Sequence, residues 1–250
     1  MNLLSVVVLA AGKGKRMNNP ELPKVLANIN NFPLIYYVLN EVVKLSPLST
    51  VLVTGHKGEM VREFVNTNFK GSFHFAIQEP QLGTGHAVLI TEKLFYNFIG
   101  NILILAGDVP NISASTLVEF IHNHNISDSD ISVLSALAPN PYGYGRIIRD
   151  GNNDFIKITE HKDANESELE INEINSGIIL AKSDVLFDTL HLVGNNNNQN
   201  EYYLTDIIEI GLKNYKKVFA FQCGDFYEIQ GVNTIDELQK AEEFKNNLGK

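Results

Sequence analysis

Short apolar runs alternate along this chain with stretches whose apolar residues recur at helical spacing. Val6–Leu9, Thr50–Thr54, Ser72–Ile77, Asn101–Ala106 and Asp130–Ala138 read as strands, and the first and fourth are apolar throughout, as strands covered on both faces are. Between them Phe32–Leu45, Gly58–Asn68, His86–Phe98 and Ser115–His124 carry the helical spacing, with Pro33 tolerated in a first turn. The alternation predicts an α/β fold on a parallel sheet flanked by helices. From Pro139 to about Leu192 the pattern changes to short strands within RIIRD, FIKITE and INSGIIL. A turn signal at Asp150–Asn153 and an acidic insertion at Asn165–Glu170 interrupt them. This segment predicts a smaller β-rich lobe beside the sheet, facing the strand ends. Tyr202–Leu212 returns to helical spacing, Val218–Gln222 reads as a late strand, and Thr234–Leu248 reads as an exposed terminal helix. Thr234 and Glu237 stand there in capping-box spacing.

Composition narrows the picture. With 250 residues and 44% hydrophobic content the chain can bury a substantial core, and its length fits one large α/β domain or one domain with an appended lobe. A formal net charge of −9 argues against non-specific nucleic-acid binding and makes any local basic loop stand out. One cysteine, Cys223, excludes an intramolecular disulfide framework. No apolar segment approaches the roughly 18–20 residues needed to span a bilayer. The N-terminal apolar run lacks the basic flank and small-residue cleavage site of a signal peptide, so a cytoplasmic protein without membrane insertion is expected.

Three clusters carry candidate chemistry. The loop after the first strand holds Gly12 and Gly14, which let backbone N–H groups approach a ligand, together with Lys13, Lys15 and Arg16. Lys24, after Pro23, adds a cation at the start of another apolar segment, so two basic elements can converge on one anion. Glycine-containing strand-to-helix turns are also common as plain structure. This one lacks the third glycine of the dinucleotide fingerprint and the Gly-Lys-Ser/Thr ending of the P-loop. The second cluster, Gln78–His86, offers two glutamine amides that can pair with a nucleobase edge, and Gly83–Thr84–Gly85 before a helix. His86 is given no catalytic role. The third is Asp108, at the carboxyl end of the apolar strand Asn101–Ala106, where open α/β sheets place ligands; beside a phosphate-binding loop it suits Mg2+.

The words LAAGKGKRM, LPKVL, QLGTGHAV, GDVP, GYGRI, EHKDA, INSGI, EYYLTDI and GVN occur in this order. Together they closely resemble the uridyltransferase domain of the bacterial bifunctional N-acetylglucosamine-1-phosphate uridyltransferase/glucosamine-1-phosphate acetyltransferase, over about Ser5 to Asn233. The resemblance implies a Rossmann-like, GT-A-like nucleotidyltransferase fold with a mixed, mainly parallel sheet and a smaller sugar-binding lobe. Residues 1–138 would be the nucleotide-binding part, 139–233 the sugar-binding lobe and the return to the sheet, and 234–250 the terminal helix. It implies that Ala10, Ala11, Gly12, Arg16 and Lys24 hold the nucleotide, with Arg16, Lys24 and Asp108 catalytic. Gln78, Gln81, Gly83 and Thr84 would recognise uracil. Asp108 and Asn233 would ligate Mg2+, and Gly145, Glu160, Asn175, Tyr203 and Thr205 would contact the sugar. The implied partners are UTP and N-acetylglucosamine 1-phosphate.

Three departures accompany it. The segment between Arg16 and Lys24 is one residue longer than the usual spacing, Ala106 stands where many relatives carry a tyrosine, and the hexapeptide-repeat β-helix that acetylates glucosamine 1-phosphate is expected to be absent. Another acceptor, such as a different sugar 1-phosphate or phosphocholine, and a non-catalytic nucleotide-sensing domain stay open as alternatives.

Overall fold

The computed structural model of the protein describes residues 3–12, 14, 17 and 21–248. Among these the strands are β1 (Leu4–Ala10), β2 (Asn28–Ile29), β3 (Phe32–Pro33), β4 (Thr50–Thr54), β5 (Phe73–Ile77), β6 (Asn101–Ala106), β7 (Ile131–Leu137), β8 (Arg146–Arg149), β9 (Phe155–Thr159), β10 (Glu173–Lys182) and β11 (Val218–Gln222). The helices are α1 (Leu34–Lys44), α2 (Gly58–Asn68), α3 (Thr84–Leu89), α4 (Ala114–Ile126), α5 (Glu166–Leu169), α6 (Ser183–Leu190), α7 (Asp206–Lys213), α8 (Phe226–Ile229) and α9 (Ile235–Leu248).

β1 sits inside the sheet because its valines leave no polar face. Val6, Val7 and Val8 are fully buried, and β4 and β6 pair with the strand in parallel on its two sides. The main sheet runs β11-β7-β10-β6-β1-β4-β5. β10 pairs antiparallel with both β6 and β7, while the other neighbours are parallel, so along this path β10 alone is reversed. This is a mixed, mainly parallel sheet. Side chains alternate between its faces. Val6 and Val8 pack with Ile35, Val38 and Leu39 of α1, Val61 of α2 and Leu117 of α4. Val7 packs with Val88 of α3, Leu186 of α6 and Ile207 of α7.

Register then decides what meets at the sheet edge. Leu9 lies opposite Ala106, and Ala10 opposite Thr54, so the loops after β1, β4 and β6 emerge together. Because β10 runs backwards, its early residue Asn175, level with Ser135 of β7, falls at that same edge. There the ladder shifts register between Asn175 and Ile179. Gly177 has φ of 78°, Asn175 Oδ1 accepts from Gly177 N at 2.9 Å, and Ser176 Oγ donates to Leu134 O at 2.6 Å: the Asn-Ser-Gly of the INSGI word is a β-bulge. β8 and β9 form a hairpin joined to β10 at Ile174–Arg146.

Four local expectations are corrected. Phe32 and Pro33 belong to β3, not to the first helix, because Asn30 and Asn31 both adopt positive φ and close a tight hairpin with β2. The helix expected over His86–Phe98 stops at Leu89, where the Thr91 hydroxyl bonds back to Val88 O at 2.7 Å, and resumes as a 3-10 turn over Glu92–Phe95. Tyr202–Thr205 is not helical, since the backbone groups of Tyr202 and Leu204 are taken by Leu82, Thr84 and Gly85. α9 has its capping box, but it is docked: Ala241 is buried beside Leu34 and Val232, and the Lys245 ammonium lies 4.5 Å above the Tyr37 ring.

His124, in the last turn of α4, gives a pH signature. Its ring is buried, with Nδ1 2.7 Å from Ser132 Oγ of β7. Burial, and then the Lys182 charge, push its pKa down to about 4. The unfolded chain therefore takes up this proton as pH falls through the ordinary histidine range, while the folded chain resists it. The resulting stability loss develops between about pH 6.5 and 4 and amounts to roughly 3 kcal/mol. Urea midpoints across this window should fall less steeply with acidification in His124→Gln than in the unsubstituted protein. Parallel profiles would contradict the assignment.

Candidate active site

The first loop leaves β1 with Ala10 and Ala11 buried and Gly12 exposed. Gln81, from the loop after β5, donates its side-chain amide to Ala11 O. It reaches across Gly55, where a Cβ would stand 2.6 Å from Gln81 Nε2 and 3.0 Å from Ala11 O, so only glycine leaves the passage open. Gly55 was not singled out in the sequence; its signal was a glycine directly after the strand TVLVT. Gln78 is buried and donates to Gly83 O at 2.8 Å, with its amide nitrogen 3.2 Å from His86 Nδ1. Burial lowers the His86 pKa, which favours the neutral ring that can accept this bond. Gln78 thus braces its own loop beside His86, while Gln81 ties that loop to the first one.

That loop is laced to a distant segment. Tyr202 N donates to Leu82 O at 2.8 Å, Gly85 N to Tyr202 O at 2.7 Å, and Leu204 N to Thr84 Oγ1 at 3.1 Å. Gly83 has φ of 107°, and a Cβ there would stand 2.6 Å from Tyr202 O. The structure therefore brings Ala10, Ala11, Gly12, Gln78, Gln81, Gly83 and Thr84 to one stretch of the sheet edge. Lys13, Lys15 and Arg16, and with them the longer spacing before Lys24, lie outside the described residues.

The second part of the site is built around one ammonium. Pro23 leads into a 3-10 turn over Lys24–Leu26 whose Val25 and Leu26 are buried. Lys24 Nζ donates to Asp108 Oδ2 and, at 2.9 Å, to Asn233 Oδ1. Val232 N donates to Asp108 O at 2.8 Å, fixing the Gly-Val-Asn turn to the end of β6. Beyond it the Glu237 carboxylate accepts from Asn233 N at 2.7 Å and Thr234 N at 2.9 Å, so the cap of α9 also orients Asn233. Among the described residues no group of three or more His, Cys, Asp or Glu could hold a metal. Asp108 and Asn233 instead converge two hard oxygens on a cation. That donor set fits Mg2+, which commonly takes one or two protein groups and completes its shell with phosphate and water.

The third part is acidic. Glu160 follows β9 and accepts from Thr205 Oγ1 at 3.0 Å; burial pushes its pKa up. A Cβ on Gly145 would lie 3.4 Å from Glu160 Oε2, and Asn175 N donates to Gly145 O at 2.9 Å. Tyr203 donates to Asp163 Oδ2 at 3.2 Å and accepts from Gln199 at 2.8 Å; burial pushes its pKa up to about 12, so the phenol keeps its proton. Asp206 lines the same cleft and is raised to about 6 by burial and by Glu160. Gly145, Glu160, Asn175, Tyr203 and Thr205 are thus brought together. Ala106 is half-buried at the end of β6, opposite Leu9.

Two further residues connect these parts. Burial, and then the Glu237 and Asp108 carboxylates, push the pKa of Tyr144 up, so its phenol keeps its proton, and its ring packs edge-on against Phe226 of α8. Arg146, only 1% exposed, donates to Tyr144 O and, at 3.5 Å, to Leu169 O. It clamps that turn from beneath. Both lie in the word GYGRI, where only Gly145 was singled out; the signal for Arg146 was its place at the head of the strand RIIR, whose first three residues are buried.

Residues 5–229 match the profile of the family described as Nucleotidyl transferase. The chain is 42% identical over 237 residues to the Bifunctional protein GlmU of Streptococcus thermophilus (strain CNRZ 1066), covering 95% of the chain and 50% of the relative. It is 43% identical over 242 residues to the Bifunctional protein GlmU of Geotalea daltonii (strain DSM 22248 / JCM 15807 / FRC-32), covering 97% and 52%. The chain spans about half the length of the curated relatives it matches. In fold it is similar to a UDP-glucose pyrophosphorylase solved with UDP-glucose, at a TM-score of 0.80 and 19% identity over 98% of this chain and 99% of that one.

The lacing at Gly83 gives a direct test. Gly83→Ala forces a methyl group into the Tyr202 backbone at a φ that L-residues disfavour, so it should cost more than about 1 kcal/mol. The urea midpoint should drop and proteolysis within 195–205 should quicken. An unchanged midpoint would refute the contact.

Proposed function

Because the chain belongs to the nucleotidyl transferase family, we propose that it transfers the uridylyl group of UTP to N-acetylglucosamine 1-phosphate in a Mg2+-dependent reaction, giving UDP-N-acetylglucosamine and pyrophosphate. The observation that carries this reading is the convergence, on one sheet edge, of a braced glutamine loop, a lysine between two hard oxygen ligands, and an acidic cleft. The similarity to GlmU proteins over nearly the whole chain supports the choice of substrates. UTP and a sugar phosphate are cytoplasmic metabolites, and we assign the protein to that compartment. Among the described residues no helix is long and apolar enough to cross a membrane.

The chemistry asks little of the protein beyond alignment and charge. A phosphate monoester has a second pKa of about 6, so the acceptor is largely dianionic at neutral pH and needs no enzymic base. One of its oxygens attacks the α-phosphorus of UTP in line; the new P–O bond forms as the bond to the bridging oxygen breaks, and pyrophosphate leaves. Lys24 and Arg16 donate to the triphosphate and stabilise the charge that develops there. Asp108 and Asn233 would hold Mg2+, which would supply positive charge to the reacting phosphates.

Ala10, Ala11 and Gly12 hold the nucleotide beside a uracil frame of Gln78, Gln81, Gly83 and Thr84. In the lobe, Gly145, Glu160, Asn175, Tyr203 and Thr205 orient the sugar. Acceptor-rich carboxylates suit hydroxyl donors and repel phosphate, so the cleft favours one orientation of a sugar phosphate: ring toward Glu160, phosphate toward Lys24. Ala106 stands at the end of β6 where many relatives carry a tyrosine, which makes the range of acceptors a property worth measuring.

Two substitutions test the assignment. Asp108→Ala should reduce Mg2+-dependent pyrophosphate release from UTP and N-acetylglucosamine 1-phosphate by at least about a hundredfold, with an unchanged circular dichroism spectrum. Turnover close to that of the unsubstituted protein would rule out the metal assignment. Glu160→Ala should lower kcat/KM for the sugar phosphate by about tenfold or more while the KM for UTP stays within twofold. Equal losses toward both substrates would remove Glu160 from the sugar site. Assays pairing UTP, CTP and dTTP with several sugar 1-phosphates set the preference on each side.

A further inference from the structure

Lys24 stands where a metal would have to stand. Its ammonium is bonded to the same two oxygens, Asp108 Oδ2 and Asn233 Oδ1, that form the hard donor pair. The Lys24 and Asp108 side chains are only 14% and 12% exposed, so this contact is shielded, unlike a surface ion pair that water screens. A divalent ion bound to both oxygens at about 2.1 Å occupies the space between them. Ammonium and metal then contend for one volume, and like charges at that distance repel strongly.

We infer that Lys24 is a built-in occupant of the metal seat, displaced when the metal enters and thereby handed to the triphosphate. This rests on the reading of Asp108 and Asn233 as metal ligands. The anchor allows the exchange. Lys24 is held by its backbone in the 3-10 turn, and its stem runs beneath the glycine loop: a Cβ on Gly12 would lie 3.9 Å from Lys24 Cε, and one on Gly14 would lie 2.8 Å from Lys24 Cβ. The ammonium can leave the oxygens by rotation of the outer stem, and the surface it then meets is the loop.

The charge balance makes the exchange conditional. With Lys24 seated, the shielded Asp108 carboxylate is neutralised and carries no unpaired charge. With metal seated, the same place holds a carboxylate, a divalent cation and a free ammonium, a net gain of two positive charges. That surplus is favourable only when a polyanion is present. Metal alone therefore binds weakly, and metal and triphosphate bind with positive coupling.

Binding of Mn2+ to the nucleotide-free protein, read from the electron paramagnetic resonance of free Mn2+, tests this without reference to turnover. Lys24→Met should bind Mn2+ about tenfold more tightly than the unsubstituted protein, equivalent to about 1.4 kcal/mol. Lys24→Arg, whose fork holds a carboxylate at two points, should bind it no more tightly. Pyrophosphate should raise Mn2+ affinity strongly in the unsubstituted protein and far less in Lys24→Met. If Asp108→Asn loses Mn2+ but Lys24→Met gains nothing, the displacement is refuted and the metal reading stands. If Asp108→Asn binds Mn2+ as before, the metal reading itself falls. A measurement that needs no Met variant is the 15Nζ resonance of Lys24, identified by its loss in Lys24→Arg. It should shift on addition of Mg2+ alone, and an unmoved resonance at metal saturation overturns the proposal.

Discussion

The contact on which the rest of the site depends is the ammonium of Lys24 between Asp108 and Asn233. It joins parts of the chain 84 and 209 residues apart: the segment after the glycine loop, the end of the central strand β6, and the turn that enters α9. None of these holds its place by local propensity. Asp108 needs the buried strand behind it, Asn233 needs the Glu237 cap, and Lys24 needs the buried Val25 and Leu26 beneath its turn. A partly buried carboxylate without a partner is costly, and that cost makes the three segments fold as one unit.

From this point the site is electrically divided. Toward the glycine loop stands the Lys24 ammonium; toward the lobe, Glu160, Asp163 and Asp206 accumulate, with burial pushing the pKa of the first up and that of the last to about 6. Tyr144 keeps its proton near the Glu237 and Asp108 carboxylates, and Arg146 fixes its main chain by donating to Tyr144 O and Leu169 O. A reactant with a hydroxylated ring at one end and phosphate at the other matches this division along its length.

The long-range order of the fold was legible because it follows from burial. Runs such as Val6–Leu9 and Asn101–Ala106 have no polar face, so they had to be interior strands, and ligand chemistry had to collect at their carboxyl ends. Gly58–Asn68 matched its observed helix through helical spacing, and Val218–Gln222 its observed strand through its short apolar run. What stayed hidden was decided by partners far away in sequence. Tyr202–Thr205 has helical spacing but pairs with Leu82–Gly85, and α9 looks exposed until its residues meet Asn30, Leu34 and Tyr37. Gly55, Tyr144 and Arg146 act through clearance and buried hydrogen bonds, which leave no periodic trace. Lys24 and Asp108 were read from the sequence as parts of one phosphate and metal site, Asn233 was implied only by family resemblance, and the direct contact of Lys24 with both was not foreseen, since spacing alone cannot state that three distant residues touch.

The backbone lacing between Leu82–Gly85 and Tyr202–Leu204 bears on how such a protein can change. One side of that seam frames the proposed base site; the other carries Tyr203 and leads into Thr205 of the proposed sugar site. Two recognition surfaces therefore share one strip of main chain, and neither is a separable module. A substitution that resets one loop to admit a different base moves the anchor of the sugar contacts as well. New pairings of nucleotide and sugar are then reached by compensated changes on both sides of the seam, and grafting either loop alone disturbs both specificities.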